Sequence, residues 1–266
     1  MCEKLVDALL MVIVNFFGCF YDKQKMFEKL LRFYLDSSFS CFIRPFCVYD
    51  QWINQYRNHK GWFFSYCSSI FNHASDFLSH DDPNHHSPHL ERVLILLQSI
   101  LHNLYDRCLD ELDMGGLVDL ASQGLLSHEP LRFEKCYNVL TELFAHNSTT
   151  NGSKESETDS ILLSLYNSHV NLIVKNCIKV IVSQRNISIV KGCGNLLRIM
   201  SDTKRFGVAA RLTIENMILK EDLEKCPEGI KIDQNIIDDL KNVLNAPNKT
   251  EAEDLAVLIN SKLYEC

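Results

Sequence analysis

Apolar residues recur at helical spacing along most of the chain. The clearest stripe runs from Leu90 to Leu112, with successive apolar positions separated by three or four residues or lying side by side. Its members are Leu90, Val93, Leu94, Leu97, Ile100, Leu101, Leu104, Tyr105, Cys108 and Leu112. Because about 3.6 residues complete a helical turn, these positions share one face, and the stripe predicts an amphipathic helix. The glycine pair Gly115-Gly116 is predicted to break it.

The same spacing predicts further helices downstream. A short segment covers 117–126, and a longer helix starts near Pro130, since proline suits the first helical position. Later stripes are Ile161, Leu162, Leu165, Tyr166, Ile173, Val174, Cys177 and Ile181; then Ile187, Val190, Cys193, Leu197 and Met200; then Val208, Leu212 and Met217; then Ile236, Ile237, Leu240 and Leu244. The last helix has a capping-box start, Thr250 followed by Glu253.

One segment is ambiguous between helix and strand. Lys179 to Val190, KVIVSQRNISIV, is rich in β-branched residues, which is consistent with a hairpin. Its centre lacks glycine, however, and both flanks continue at helical spacing. The pattern therefore favours two helices that meet near Gln184 to Asn186, with the hairpin as the alternative.

Two stretches stand apart from the helical pattern. Residues 146–160, HNSTTNGSKESETDS, have no apolar anchor, which predicts a flexible surface loop or a short linker. Residues 1–80 hold both tryptophans and most of the Phe and Tyr, which predicts either a differently packed helical cap or a separate small subdomain. Within it, Ala8 to Phe20 resembles a signal h-region, but Glu3 and Asp7 spoil a positive n-region. We interpret it as a core helix.

Composition narrows the classes of function. With 266 residues, 46% hydrophobic and 23% charged, the chain is that of a globular protein with a substantial core. A formal charge of −7 argues against broad attachment to nucleic acid or anionic membrane. The 11 cysteines are odd in number and irregularly spaced, without a C-x-x-C, so we expect reduced thiols and a cytoplasmic protein, with the nucleus as an alternative.

A family resemblance covers the middle of the chain. Met114 to Ser148 has a glycine break, a short leucine-spaced helix, a tight polar turn and a longer helix, and it resembles an armadillo repeat. Asn171 to Asp202 can be laid over it. Leu143 then lies opposite Met200, and removal of the loop leaves roughly 42 positions between them, close to the period of armadillo and HEAT units.

The resemblance implies an all-α, right-handed armadillo/HEAT-like superhelix, an α-solenoid, in which 88–145 and 159–266 form one domain. Peptide-binding members resemble one another in an asparagine that holds the ligand backbone, but the corresponding positions here are Glu142 and Ile199. What the resemblance still implies is a non-enzymatic scaffold or adaptor that needs no cofactor and binds a peptide or helix of another protein in a groove. The phosphate-loop, dinucleotide and H-E-x-x-H motifs of common enzymes are not found in the sequence.

A basic and aromatic cluster is the predicted contact for that partner. It consists of Trp52, Tyr56, Arg57, Lys60 and Trp62. Trp, Tyr and Arg are enriched at protein-binding hot spots. Two alternatives are a helix junction with buried rings, and stacking on single-stranded nucleic acid in a nucleic-acid-associated module.

The other dense cluster is SHDDPNHHSPHLER, Ser79 to Arg92. With His73 upstream, its histidines predict an alternative function as a metal-binding helical protein or enzyme, in which His80, His85, His86 and His89 hold the metal. Ser87 and Pro88, however, suit an N-cap and a first helical position. That assignment leaves His85 and His86 in a solvated loop before the helix, and we expect no metal site.

Overall fold

The computed structural model describes residues 114–145, 155–219 and 233–264, together with isolated positions between 94 and 112. These residues are 89% helical and contain no strand, which confirms the predicted all-α class. The chain divides into two compact units, Met1–Leu112 and Asp113–Cys266. The aromatic-rich part over 1–80 and the predicted boundary that follows it lie outside the described residues and stay predictions.

The first unit is described only along the predicted Leu90–Leu112 stripe. Leu94, Leu97, Leu101, Tyr105 and Cys108 are helical and buried, as their spacing predicts. No helix in the described parts of either unit combines the length and the apolar character needed to cross a bilayer.

The second unit is built from a succession of helices. They are α1 (Met114–Gly124), α2 (Pro130–Ala145), α3 (Glu155–Ser183), α4 (Ile187–Met200), α5 (Thr203–Leu219), α6 (Gln234–Asn245) and α7 (Lys249–Tyr264). The start of α2 at Pro130 confirms the prediction.

Three predicted boundaries differ from the structure. Helix α7 begins at Lys249, so Thr250 lies inside it, and Asn248 Oδ1 instead accepts a hydrogen bond from the Glu251 N–H. Gly115 and Gly116 lie in the first turn of α1 instead of forming a break before it. Helix α3 begins at Glu155, inside the stretch predicted as a loop. The sequence ESETD supplies acidic residues, which are favourable near a helix N-terminus because they interact with the helix dipole. A helix can therefore begin there without an apolar anchor.

The junction between α3 and α4 confirms the two-helix interpretation of Lys179 to Val190. Residues 184–186 are not helical, and Asn186 caps α4 by accepting hydrogen bonds from the backbone N–H groups of Ser188 and Ile189. At the end of α3, the Asn260 Nδ2 of α7 donates to the carbonyls of Ile181 and Gln184, at 2.6 and 2.8 Å. These bonds satisfy carbonyl groups that a helix end leaves without intrahelical partners.

Helix α5 is found where it was predicted, but its predicted buried face is wrong. Val208 and Leu212 are 65% and 52% exposed, whereas Phe206, Ile214 and Ile218 are buried. Both sets have helical spacing, so spacing alone does not choose between them. The helix is also interrupted at Gly207, whose φ of 82° and ψ of 167° suit glycine almost alone.

The helices pack in a regular order. The pairs α1/α2, α3/α4 and α5/α6 each pack together, and α3 contacts both α1 and α5. In the same way α4 contacts α2 and α6. Helix α7 departs from this order, because it packs against α3, α4 and α6. Helix α4 therefore lies at the centre of the unit, and ten of its 14 residues are buried.

Candidate partner-binding surface

Helix α4 carries one polar stripe on an otherwise buried surface. Ser188, Lys191, Asn195 and Arg198 are separated by three, four and three positions, so they follow one side of the helix. Ser188 is exposed, Lys191 and Arg198 are half-buried, and Asn195 is only 2% exposed. We call these four residues the α4 stripe. Its members Ser188, Lys191 and Arg198 are the part of α4 that the packing leaves accessible, apart from Ile187 at the helix start.

On one side, the α4 stripe is bordered by Tyr137 of α2. The Phe133 and Tyr137 rings stack with centroids 5.9 Å apart and lie close against α4. Gly192 permits this approach, since a Cβ there would lie 2.8 Å from Phe133 Cε1. Asn195 Nδ2 donates to the Tyr137 hydroxyl at 2.7 Å. The stripe and the α2 rings are therefore joined by a hydrogen bond as well as by packing.

The Arg198 guanidinium is held by the same asparagine. Its Nε and Nη2 both donate to Asn195 Oδ1, each at 3.2 Å. None of the described carboxylates forms an ion pair with Arg198. Arg198 therefore presents an oriented positive charge that Asn195 positions without neutralising it.

On the other side, the α4 stripe is bordered by α7. Gly194 lets α7 approach closely, since a Cβ there would lie 2.6 Å from the Ala252 carbonyl oxygen and from Ala256 Cβ. Lys191 Nζ lies 3.9 Å from Asp254 Oδ1, and the two side chains are 41% and 68% exposed. Such an exposed pair contributes little, so Lys191 keeps most of its freedom to bind elsewhere.

A depression runs along α7 beside Asp254. Its lining residues are Asn248, Thr250, Glu251, Asp254, Leu255 and Leu258. Leu258 is among the exposed large apolar side chains of the described residues. This lining combines leucine with carboxylate, which suits contact with another macromolecule better than the coordination of a small molecule.

The residues that the sequence singled out are placed as follows. The cluster Trp52, Tyr56, Arg57, Lys60 and Trp62 lies outside the described residues, and so do His73, His80, His85, His86 and His89. Both clusters stay predictions. Within the described ranges, no group of three or more His, Cys, Asp or Glu side chains is placed to hold a metal ion. Ile199, which the armadillo resemblance would align with the ligand-holding asparagine, is buried.

The described thiols are not set up as nucleophiles. Cys136, Cys177 and Cys193 are buried and form no disulfide. Burial raises the pKa of Cys136 to about 12, although the nearby Arg132 acts in the opposite direction. Burial, and then the neighbouring Cys177, raise the pKa of Cys193. Since the thiolate is the reactive form, Cys136 and Cys193 act as apolar packing groups.

Sequence reasoning missed Tyr137, Asn195 and Arg198 as site residues. The available signal was the recurrence of polar residues at helical spacing within an otherwise apolar helix. Comparison with protein-family models found no match, and a search of curated proteins found no significant match.

Proposed function

We propose that this chain is a non-enzymatic helical-repeat scaffold or adaptor that binds another protein along the α4 stripe. The observation that carries the proposal is the stripe itself, a polar and partly accessible line on the most enclosed helix of the unit. Its one buried member, Asn195, is fully hydrogen-bonded, and it orients the partly exposed Arg198. Tyr137 and Arg198 are also of the residue types that dominate protein-binding hot spots.

The packing order supports an armadillo/HEAT-like arrangement. In helical-repeat proteins each unit contacts its neighbours in the stack. Here α1, α3 and α5 follow one another in one row, and α2, α4 and α6 follow one another in a second row. Three stacked helix pairs in a right-handed superhelix would give these contacts, with α7 as a covering helix. The second row would then present the α4 stripe to a peptide or helix.

We place the protein in the cytoplasm, with the nucleus as the alternative. The support is chemical, since Cys136, Cys177 and Cys193 are buried thiols that pack as apolar groups. Reduced cysteines of this kind are typical of compartments that keep thiols reduced.

The test is affinity purification with the full chain as bait and quantitative mass spectrometry as readout. Ser188→Trp and Lys191→Trp place a bulky ring on the α4 stripe, while Lys175→Trp places the same ring on the exposed side of α3. We expect a stoichiometric partner with the wild type and with Lys175→Trp, and its loss with both stripe variants. Circular dichroism checks that all variants fold.

The absence of a stoichiometric partner with the wild type would contradict the proposed function. Equal loss in the Lys175→Trp control would contradict the assignment of binding to the α4 stripe.

A further inference from the structure

We propose that the α4 stripe recognises an acidic segment of the partner, and that Arg198 binds one of its carboxylates end-on. This inference rests on the proposed function and names the chemistry of the partner. It is carried by the juxtaposition of Tyr137, Asn195 and Arg198, in which a nearly buried amide fixes the direction of an arginine.

The donors of Arg198 decide how a ligand approaches. A guanidinium has five N–H donors and no acceptor. The Nε–H and one Nη2–H face Asn195 Oδ1. One Nη2–H and both Nη1–H groups remain. A carboxylate can accept one bond from each Nη, so the outer end of the guanidinium is the geometry left for a bidentate contact.

Asn195 makes this arrangement rigid. Arginine only donates, so the amide oxygen must face Arg198 and the amide nitrogen must face Tyr137. Both ends of the amide are then engaged, and the side chain is 2% exposed. The arginine loses little conformational freedom when a ligand binds, because much of its ordering is already present in the folded protein.

The charges near the stripe favour an anion. Lys191 lies two turns before Arg198 on the same side of α4, and its contact with Asp254 is long and exposed. Lys191 and Arg198 therefore offer two positive groups along the line that an extended or helical acidic segment would follow.

The position of Arg198 favours a carboxylate over a phosphate. Arg198 lies in the last turn of α4, where the helix dipole is negative. A helix C-terminus repels a dianion more than a monoanion, and it offers no backbone N–H groups to a ligand. Phosphate sites use the opposite end of a helix.

The test measures fluorescence anisotropy of a labelled amphipathic helical peptide with leucine on one face and glutamate on the other. The comparison peptides replace each glutamate by glutamine, or one glutamate by phosphoserine. We expect saturable binding of the glutamate peptide to the full chain. The glutamine peptide should bind with an affinity at least about tenfold lower, because it lacks the charge-assisted contact.

Variants locate the contact. Arg198→Gln should lower the affinity for the glutamate peptide by about tenfold or more. Arg198→Lys should keep only part of the wild-type affinity, because the lysine ammonium is a point charge without the planar fork of a guanidinium. Lys175→Gln removes the same charge from the exposed side of α3 and should leave binding unchanged. The glutamine peptide should be insensitive to all three variants.

The inference is overturned if the glutamate peptide does not bind, if Arg198→Gln leaves its affinity unchanged, or if the phosphoserine peptide binds more tightly. These outcomes are distinguishable from failure of the proposed function. A partner that is captured by the wild type and by Arg198→Gln, but lost with Ser188→Trp, overturns the carboxylate contact and leaves the partner-binding function standing. No captured partner overturns both.

Discussion

Helices α4 and α5 follow one another in the chain, yet they are buried to very different degrees. Both are predicted by three or more apolar residues at helical spacing. Helix α4 packs against α2, α3, α6 and α7, whereas α5 packs mainly against α3 and α6. As a result α4 buries ten of its 14 residues, while α5 leaves Val208 and Leu212 in solvent. Apolar spacing thus identifies a helix, and the surrounding helices decide how much of it is covered.

The comparison extends to the polar residues. Asn195 of α4 is buried and bonded to Tyr137 and Arg198, and Ser201 at the end of α4 donates to the Leu244 carbonyl of α6 at 2.9 Å. On α5, Arg211 pairs with Glu215 within the same helix and also donates to Asn245 Oδ1 of α6. Polar groups of both helices therefore connect separate elements. The difference is in burial, since Asn195 and Ser201 of α4 are buried, whereas Arg211 meets an exposed asparagine.

The largest expected difference between α4 and α5 is in the free energy of unfolding that is lost when a leucine of each helix is replaced by alanine. Leu197→Ala in α4 removes a fully buried side chain and should lower the free energy of unfolding by about 2–5 kcal/mol. Leu212→Ala in α5 removes a side chain that is about half exposed. This substitution should change the free energy of unfolding by no more than about 0.5 kcal/mol. Urea unfolding monitored by circular dichroism measures both. Similar losses would show that α5 is covered in solution.

The next largest effect on stability is expected where α7 approaches α4 closely, at Gly194. Alanine is a better helix former than glycine by about 1 kcal/mol, so propensity alone predicts that Gly194→Ala stabilises the protein. The new Cβ would instead meet the Ala252 carbonyl oxygen at 2.6 Å, and backbone moves only with difficulty. We expect a loss of about 1–3 kcal/mol in the free energy of unfolding. Ser188→Ala, on the exposed side of α4, is the control, and an unchanged urea midpoint for Gly194→Ala would contradict the packing.

A single tyrosine links the two helices. Tyr166 of α3 donates from its hydroxyl to the Met200 carbonyl at 2.5 Å, and its ring stacks on Phe206 of α5 with centroids 3.9 Å apart. Burial raises the pKa of Tyr166, so the hydroxyl stays a neutral donor across the physiological range. Tyr166→Phe keeps the stacking and leaves a buried carbonyl without this donor, at a cost of about 1–3 kcal/mol in thermal or urea unfolding. Unchanged stability would show that another donor replaces the hydroxyl.

The smallest effect concerns the start of α6, which contacts both α4 and α5. Asp233 caps α6, and its hydrogen bond from the Ile236 N–H lowers the pKa of its carboxyl below the ordinary value of 3.8. The cap's extra stabilisation is therefore fully present above that value and is lost as the pH falls through the lowered folded-state pKa. Asp233→Asn keeps an oxygen acceptor that does not titrate. The stability difference between the wild type and this variant should shrink on acidification and stay constant near neutrality, as urea midpoints across pH would show.

Much of the helical arrangement could be predicted from the sequence. Pro130 and the junction at Gln184 to Asn186 were predicted because their signals are local, namely the fixed φ of proline and the lack of a glycine turn. The buried face of α5 could not be predicted, because Val208 and Leu212 have the same spacing as Ile214 and Ile218. Only the packing against α3 and α6 distinguishes the two faces.

The candidate site was harder to predict for a physical reason. Asn195 and Arg198 are neighbours on one helix and could have been paired from their spacing. Tyr137, however, is brought to them by tertiary packing that depends on the missing side chain of Gly192. A polar residue in an apolar helix has no distinctive partner until that packing is known.

The fit between Gly194 and α7 has a consequence for synthesis. The surface that covers this face of α4 belongs to a helix that leaves the ribosome only after α5 and α6 have been made. During that interval the surface of α4 around Gly194 lacks its final neighbour, and transiently exposed apolar surface promotes aggregation. This face of α4 therefore stays uncovered until the last of the described helices has been made.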